Sequence, residues 1–143
     1  MSMIDPIKAS MSIAGSGLEA QSSRLRVVSE NIANVDSTGR VGGADPYRRR
    51  TITFDSVMSR TEGVNLVRVK DLGIDNAPFR LEYEPGHQAA DENGYVKRPN
   101  VNVLVEMSDM RETNRSYEAN LQIFKQARSM AAMTIDMLKG SSS

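Results

Sequence analysis

The chain has 143 residues, and its 18 basic and 18 acidic side chains give a formal net charge of zero. Proteins that bind nucleic acid or anionic membranes usually carry a net basic segment, so this balance disfavours both kinds of partner. The absence of cysteine excludes disulfides and thiolate chemistry. Since no apolar run approaches the length of a membrane span, we expect no direct membrane insertion.

An apolar stripe follows the N-terminal segment of the chain. Its members recur in alternating steps of three and four residues, which predicts an amphipathic helix with one apolar face. The stripe consists of Ile4, Ile7, Met11, Ala14, Leu18, Leu25, Val28 and Ile32, with Gln21 as its polar interruption.

The ends of this helix and two glycines inside it carry further information. Asp5 as a cap and Pro6 in the first turn predict the helix start, and the helix is expected to end near Asn34. Glycine in a helix interior costs about 1 kcal/mol relative to alanine. Gly15 and Gly17 therefore predict a bend or a close contact with another helix.

A second apolar stripe follows the C-terminal segment with the same alternation. It consists of Met107, Met110, Tyr117, Leu121, Phe124, Ala131, Ile135 and Leu138, with Asn114 and Arg128 as polar exceptions. Asn102 can cap this helix, which is expected to end near Lys139. Apolar residues spaced by 3.5 positions over about four heptads favour pairing with another helix.

The segment between the helices is richer in turn residues and in short β-type runs. Four predicted strands lie at 47–54, 64–70, 79–84 and 95–96. The turn at Asn93 and Gly94 precedes the last of them. Four apolar side chains are expected to form the core of this β element: Phe54, Phe79, Leu81 and Tyr83.

These patterns predict a mainly α fold with a small β-rich insert. The long N- and C-terminal helices are expected to pair as an antiparallel coiled coil, with the β element between them. Residues 1–40 and 101–143 would form a helical assembly domain, and residues 41–100 a small β-rich middle segment. If Leu121 is fully buried at the helix contact, Leu121→Ala should cost about 2–5 kcal/mol.

Several apolar residues lie beside the two stripes. An open helical assembly uses heterologous contacts, so each subunit must offer two different surfaces. The candidate intersubunit contacts are Ile13, Val27, Val35, Ile123, Ala127, Met130 and Met137.

The sequence contains no recognisable catalytic, metal-binding or cofactor-binding constellation. His87 is the single histidine, and a metal site or a nucleophile–base pair would need partners that the chain does not supply at a suitable spacing. Arg48, Arg49 and Arg50 alternate across a predicted strand, so they cannot form one basic patch. The many methionines are best explained by packing, because thioethers adapt to irregular neighbours. We therefore predict neither an enzyme nor a cofactor.

Several motifs in the right order resemble the bacterial flagellar basal-body rod protein family, and its proximal rod members in particular. They are Ser29–Asn34 followed by Thr38–Gly39, then 44–50, 79–83, Pro85–His87, Gly94–Val96, Pro99–Asn102 and Asn114–Asn120. One departure is Val103, where many members of the family have proline.

The resemblance implies a structural subunit of the proximal rod, the drive shaft that crosses the periplasm and transmits torque. Such proteins are exported by the flagellar type III route without a cleaved signal peptide. The implied partners are other flagellar rod proteins, further copies of the chain, the inner-membrane ring and export-gate adaptor proteins. No nucleic acid and no cofactor is implied.

Two sets of residues are candidates for this function. The family motif comprises Asn31, Ala33, Asn34, Thr38 and Gly39, and it is expected to set the angle at which the middle segment leaves the helix, with Gly39 at positive φ. The predicted assembly interface comprises Ile7, Met11, Leu18, Leu25, Val28, Ile32, Tyr117, Leu121, Phe124, Met130, Ile135 and Leu138.

Two other functional classes remain open on the sequence alone. A soluble coiled-coil adaptor would use the terminal helices as a stable dimer and the β-rich middle as a binding module. A hydrolase is the weakest alternative, since no nucleophile, base and orienting group can be assembled from the motifs.

Overall fold

The computed structural model describes residues 4–141. At Ile4 it describes the backbone alone, so the prediction that the Ile4 side chain belongs to the first stripe lies outside the described residues. The elements in chain order are α1 (Ile4–Ala33), β1 (Arg50–Ser59), β2 (Val64–Ile74), β3 (Arg80–Tyr83), β4 (Tyr95–Arg98) and α2 (Val103–Ser141). At 1.5 Å per residue the two helices are about 45 and 58 Å long. The predicted mainly α fold with a β insert is confirmed.

The helix ends lie close to the predicted positions. Asp5 lies within the first turn of α1 instead of capping it, because the helix already begins at Ile4. The start of α2 is as predicted: the Asn102 side-chain oxygen accepts a hydrogen bond from the Leu104 amide at 3.0 Å. This oxygen satisfies one of the open amides of the first turn.

The insert consists of two antiparallel hairpins. In the first, β1 pairs with β2, and the connecting turn ends at Gly63 with a φ of 68°. In the second, β3 pairs with β4 so that Leu81 lies opposite Lys97 and Tyr83 opposite Tyr95. Gly94, at a φ of 85°, directly precedes β4.

The predicted core of the insert is partly wrong. Leu81 and Tyr83 are 62% and 65% exposed, whereas Val96 is 0% exposed. Val96 pairs with Glu82, so it lies on the opposite face of the hairpin from Leu81 and Tyr83. The alternation of β3 was predicted correctly, but the face that is covered is the other one. Phe54 and Phe79 are half-buried.

The chain groups into two compact units, each of which contains helix and strand. The first consists of α1 up to Ser23, Phe54–Lys70 and α2 from Thr113 onward, and the second of Arg24–Thr53 and Asp71–Glu112. The predicted division into a helical assembly domain and a middle segment concerns the assembled state and stays a prediction.

The helices pack against each other in each unit. In the first unit, a Cβ atom built at Gly15 would lie 3.9 Å from the Phe124 ring, and one built at Gly17 would lie 2.7 Å from Asn120. In the second unit, the Arg24 guanidinium lies 3.2 Å from the Asp109 carboxylate. In both, later residues of α1 meet earlier residues of α2, which confirms the antiparallel pairing.

Candidate assembly surface

The inner face of α2, which packs against α1, is shifted by one residue from the predicted stripe. Its most buried positions are Glu106, Thr113 and Ala127, which are 0%, 0% and 5% exposed, and Asn120 opposite Gly17 continues the same seven-residue spacing. Small and polar side chains allow the two helices to approach closely. The larger apolar residue Met107 is 49% exposed.

The second half of α2 carries an exposed apolar stripe along one flank of this inner face. Ile123, Met130 and Met137 are seven residues apart, and Met133 falls between the last two. All four are exposed, Met137 by 72%. This a/d spacing is typical of a seam that packs against a helix. We call these four residues the methionine stripe.

A groove beside the methionine stripe is lined by both helices of the first unit. Its cavity volume is about 240 Å³. The lining residues are Pro6, Ile7, Ser10, Ile123, Gln126, Ala127 and Met130. The groove therefore joins the buried contact of α1 and α2 to the exposed methionine stripe.

The predicted interface residues fall into three groups by burial. Ile7 and Val28 are buried. The half-buried group consists of Met11, Leu18, Leu25, Ile32, Tyr117, Leu121 and Phe124. The exposed group consists of Met130, Ile135 and Leu138. Since Leu121 is half-buried, the condition for a full 2–5 kcal/mol loss on truncation is not met.

The residues beside the stripes also differ in exposure. Ile13, Ile123, Met130 and Met137 are exposed, whereas Val27 and Ala127 are buried. A neighbouring subunit can reach only the exposed ones without repacking the chain. Val35 is half-buried.

The motif residue Asn31 lies at the centre of a buried polar network in the second unit. Its side-chain oxygen accepts hydrogen bonds from the Tyr47 hydroxyl at 2.6 Å and the Arg50 amide at 2.9 Å. Its amide group donates to the Arg50 carbonyl at 3.0 Å and to Glu106 Oε2 at 3.4 Å. Arg49 Nε donates to Glu106 Oε1. These five residues are called the Asn31 network.

Both key side chains of this network are almost fully buried. Asn31 is 1% exposed and Glu106 0% exposed. A buried carboxylate needs both a counter-charge and hydrogen bonds, and here Arg49 supplies the charge. Burial raises the pKa of the Tyr47 phenol above its ordinary value, with Arg50 opposing this effect. The phenol thus stays a hydrogen-bond donor at neutral pH.

The pKa of Arg49 reflects the same arrangement. Burial lowers it, but the hydrogen bond and negative charge of Glu106 raise it, helped by Asp75 and Asp109, and the net shift is upward. Arg49 therefore stays charged beside Glu106. The three neighbouring arginines have three separate partners: Arg48 stacks 4.3 Å over the Phe79 ring, and Arg50 lies 3.5 Å from Glu30.

The remaining motif residues form the end of α1 and the loop after it. Asn34 donates its side-chain amide to the Glu30 carbonyl at 2.8 Å. This oxygen is not the open acceptor that was expected, because the Asn34 backbone amide already donates to it at 3.1 Å. Ala33 is exposed, and Thr38 and Gly39 are half-buried. The expected positive φ at Gly39 is wrong, because the described glycines with positive φ are Gly43, Gly63 and Gly94.

Glycine is instead required at position 39 because a side chain there would not fit against the neighbouring loop. A Cβ atom there would lie 2.6 Å from the Ala44 carbonyl oxygen, so we expect Gly39→Ala to displace the loop and destabilise the chain by about 1–3 kcal/mol. Gly86→Ala is the matched control, because a Cβ at position 86 meets nothing within 4 Å. Urea unfolding of both variants tests this, and equal midpoints would contradict it.

Sequence reasoning identified only one member of the Asn31 network, Asn31 itself. Glu106 was assigned no role, and Tyr47, Arg49 and Arg50 were predicted only as strand residues. The available signal was an Asn in an apolar helix face with no partner at helical spacing. It indicates that a partner exists, but it does not identify one.

Neither a metal site nor a membrane-spanning helix is found among the described residues. Among residues 4–141, no group of three or more histidine, aspartate and glutamate side chains could hold a metal ion. Neither helix of the described range is long and apolar enough to span a bilayer.

Comparison with known proteins agrees with the family resemblance that the sequence motifs indicated. A family profile described as "Flagella basal body rod protein" matches residues 11–39, and one described as "Flagellar basal body rod FlgEFG protein C-terminal" matches residues 92–137. The matched regions contain most of α1, the motif and most of α2.

Three relatives, each named flagellar basal-body rod protein FlgC, match along almost their whole length. The protein of Agrobacterium fabrum is 62% identical and covers 96% of this chain and 99% of its own. That of Salmonella typhimurium is 41% identical, with 87% and 92% covered, and that of Borreliella burgdorferi 36% identical, with 92% and 97% covered. The chain therefore belongs to the FlgC family of flagellar basal-body rod proteins, which are structural components of the basal body and not enzymes.

Proposed function

We propose that this chain is a subunit of the proximal rod and assembles through its terminal helices into a helical rod that transmits torque. The observation that supports the proposal is the distribution of side chains around α2. Its inner face carries Glu106, Thr113, Asn120 and Ala127, whereas the methionine stripe is left exposed. Exposed apolar patches of this kind mark interaction surfaces.

The two flanks of the inner face of α2 give the subunit two different surfaces. The methionine stripe lies on one flank, and Ile135 with Leu121 lies on the other, as follows from 100° per residue. An open helical assembly needs two unlike surfaces, because a self-complementary one closes into a dimer. Methionine is suited to neighbours that are not identical, since its thioether adapts to irregular contacts.

The roles proposed for the segments of the chain follow from these surfaces. Residues 1–40 and 101–143 would form the assembly domain, and residues 41–100 a middle segment that the helices carry. The rest of the predicted interface, including Met11, Leu18 and Leu25, is half-buried and would contribute its remaining surface to neighbours.

The partners follow from the place of the rod in the flagellum. The chain would contact further copies of itself and other rod proteins along the axis, and the inner-membrane ring and export-gate adaptor proteins at the base. The family resemblance supports a position in the periplasmic space and export by the flagellar type III route without a cleaved signal peptide.

The proposal is tested by placing charge on the methionine stripe. Met130→Glu with Met137→Glu should leave the helical content and export of the chain unchanged, because both side chains are exposed. Incorporation into rods should fall at least tenfold, since a buried unpaired carboxylate costs more than the roughly 1.4 kcal/mol that a factor of ten represents.

The matched control is Lys125→Glu, which changes the charge by the same amount at an exposed position at least about 80° away from every residue of the methionine stripe around the helix. Rod incorporation can be measured in purified basal bodies and compared with swimming. Normal incorporation of the double variant would refute a role for the methionine stripe.

A further inference from the structure

We infer that the Asn31 network sets the register in which α1 and α2 pair. The seven-residue repeat of the inner face cannot do so by itself. Along α2 the inner positions Thr113, Asn120, Ala127 and Thr134 are all small or polar. A slip of one heptad would place residues of similar size opposite α1, so packing alone discriminates poorly between registers.

The Asn31 network, in contrast, occurs once along the helix pair. Asn31 on α1 and Glu106 on α2 are bonded to each other. Arg50, the first residue of β1, bonds to Asn31, and Arg49, just before it, bonds to Glu106. A slip of seven residues moves Asn31 and Glu106 about 10 Å apart along the helix axes. It would leave buried polar groups without partners, which is costly.

Single buried polar residues are known to select register in coiled coils. Here the segment that leads into β1 takes part, because Arg49 supplies the counter-charge of Glu106. Asn31, Arg49 and Glu106 are thus positioning residues. Register decides which residues of α2 are covered by α1, so the network would also define the methionine stripe, and this last step rests on the proposed function.

Because the chain has no cysteine of its own, the disulfide that forms between introduced cysteines reports the register of the two helices. A Cβ atom at position 17 would lie 2.8 Å from the Asn120 Cγ atom, which is compatible with a disulfide in the native register. We would introduce Gly17→Cys, Asn120→Cys and Ala127→Cys into one chain. The thiol at position 17 then pairs with position 120 in the native register, or with position 127 after a heptad slip.

The variant to compare is Glu106→Leu in this background. We expect the ratio of native to shifted disulfide, measured by mass spectrometry of peptides, to fall at least tenfold while helical content is retained. Glu106→Gln keeps one acceptor oxygen for Arg49 Nε but turns a donor toward the Asn31 amide, so the ratio should fall less than in Glu106→Leu. An unchanged ratio in Glu106→Leu would overturn the inference.

A second variant covers the case in which Glu106→Leu fails to fold. Arg49→Met with Glu106→Met removes both charges, so no unpaired charge stays buried, and the same fall in the ratio is expected. Loss of both disulfides in this variant would also overturn the inference, because the network would then determine stability and not register. The measurement uses the purified chain, so its outcome is independent of rod incorporation by the methionine-stripe variants.

Discussion

Asn31→Ala should destabilise the chain by about 3–5 kcal/mol, the largest effect expected of any single substitution in the family motif. The side chain bonds the Tyr47 hydroxyl, both backbone groups of Arg50, and Glu106. Removing it leaves several buried polar groups unsatisfied, and each costs about 1–3 kcal/mol with partial compensation between them. Urea unfolding of the purified chain, followed by circular dichroism, measures the loss.

Asn34→Ala is the matched control in the same motif. The Asn34 side chain makes one hydrogen bond, to the Glu30 carbonyl, and is half-buried, so its loss should cost at most about 1 kcal/mol. Comparable losses for the two variants would contradict the central position of Asn31. In cells, the Asn31 variant should also reduce rod incorporation, because less of the chain is folded.

The second prediction concerns alanine substitutions at two nearby glycines of α1, which should change the stability of the chain in opposite directions. Gly15→Ala should stabilise the chain by up to about 1 kcal/mol, because alanine is the better helix former and its Cβ would meet only the Phe124 ring at 3.9 Å. Gly17→Ala should destabilise it by about 1–3 kcal/mol. Its Cβ would lie 2.7–2.9 Å from three atoms of the Asn120 side chain.

The Asn120 side chain cannot move without a loss. It donates a hydrogen bond to the Ser116 carbonyl at 3.1 Å, and it lies at the inner face of α2. Asn120→Ala should therefore remove most of the penalty of Gly17→Ala when the two are combined, and a double-mutant cycle measures this coupling. Additive effects would show that the helices do not approach closely at this point.

Local signals in the sequence were sufficient for the elements and their order. Apolar spacing predicted both helices, the Asn102 oxygen predicted the start of α2, and the glycine at position 94 predicted a turn before β4. These signals act over a few residues, because caps, turns and periodicity depend on neighbouring groups of the same segment. The family motifs are likewise contiguous and were recognisable without a structure.

The choice between adjacent faces was decided only by the tertiary structure. Periodicity located the α2 stripe to within one residue, yet Glu106 and Thr113 point inward where Met107 was expected. An apolar pattern assigns polar residues to the surface, but Glu106 is buried because Arg49, far from it in sequence, neutralises it. The exposure of Leu81 and Tyr83 has a similar origin, because either face of a two-stranded hairpin can be the one that the rest of the chain covers. Hydropathy along one segment cannot specify burial that depends on a distant partner.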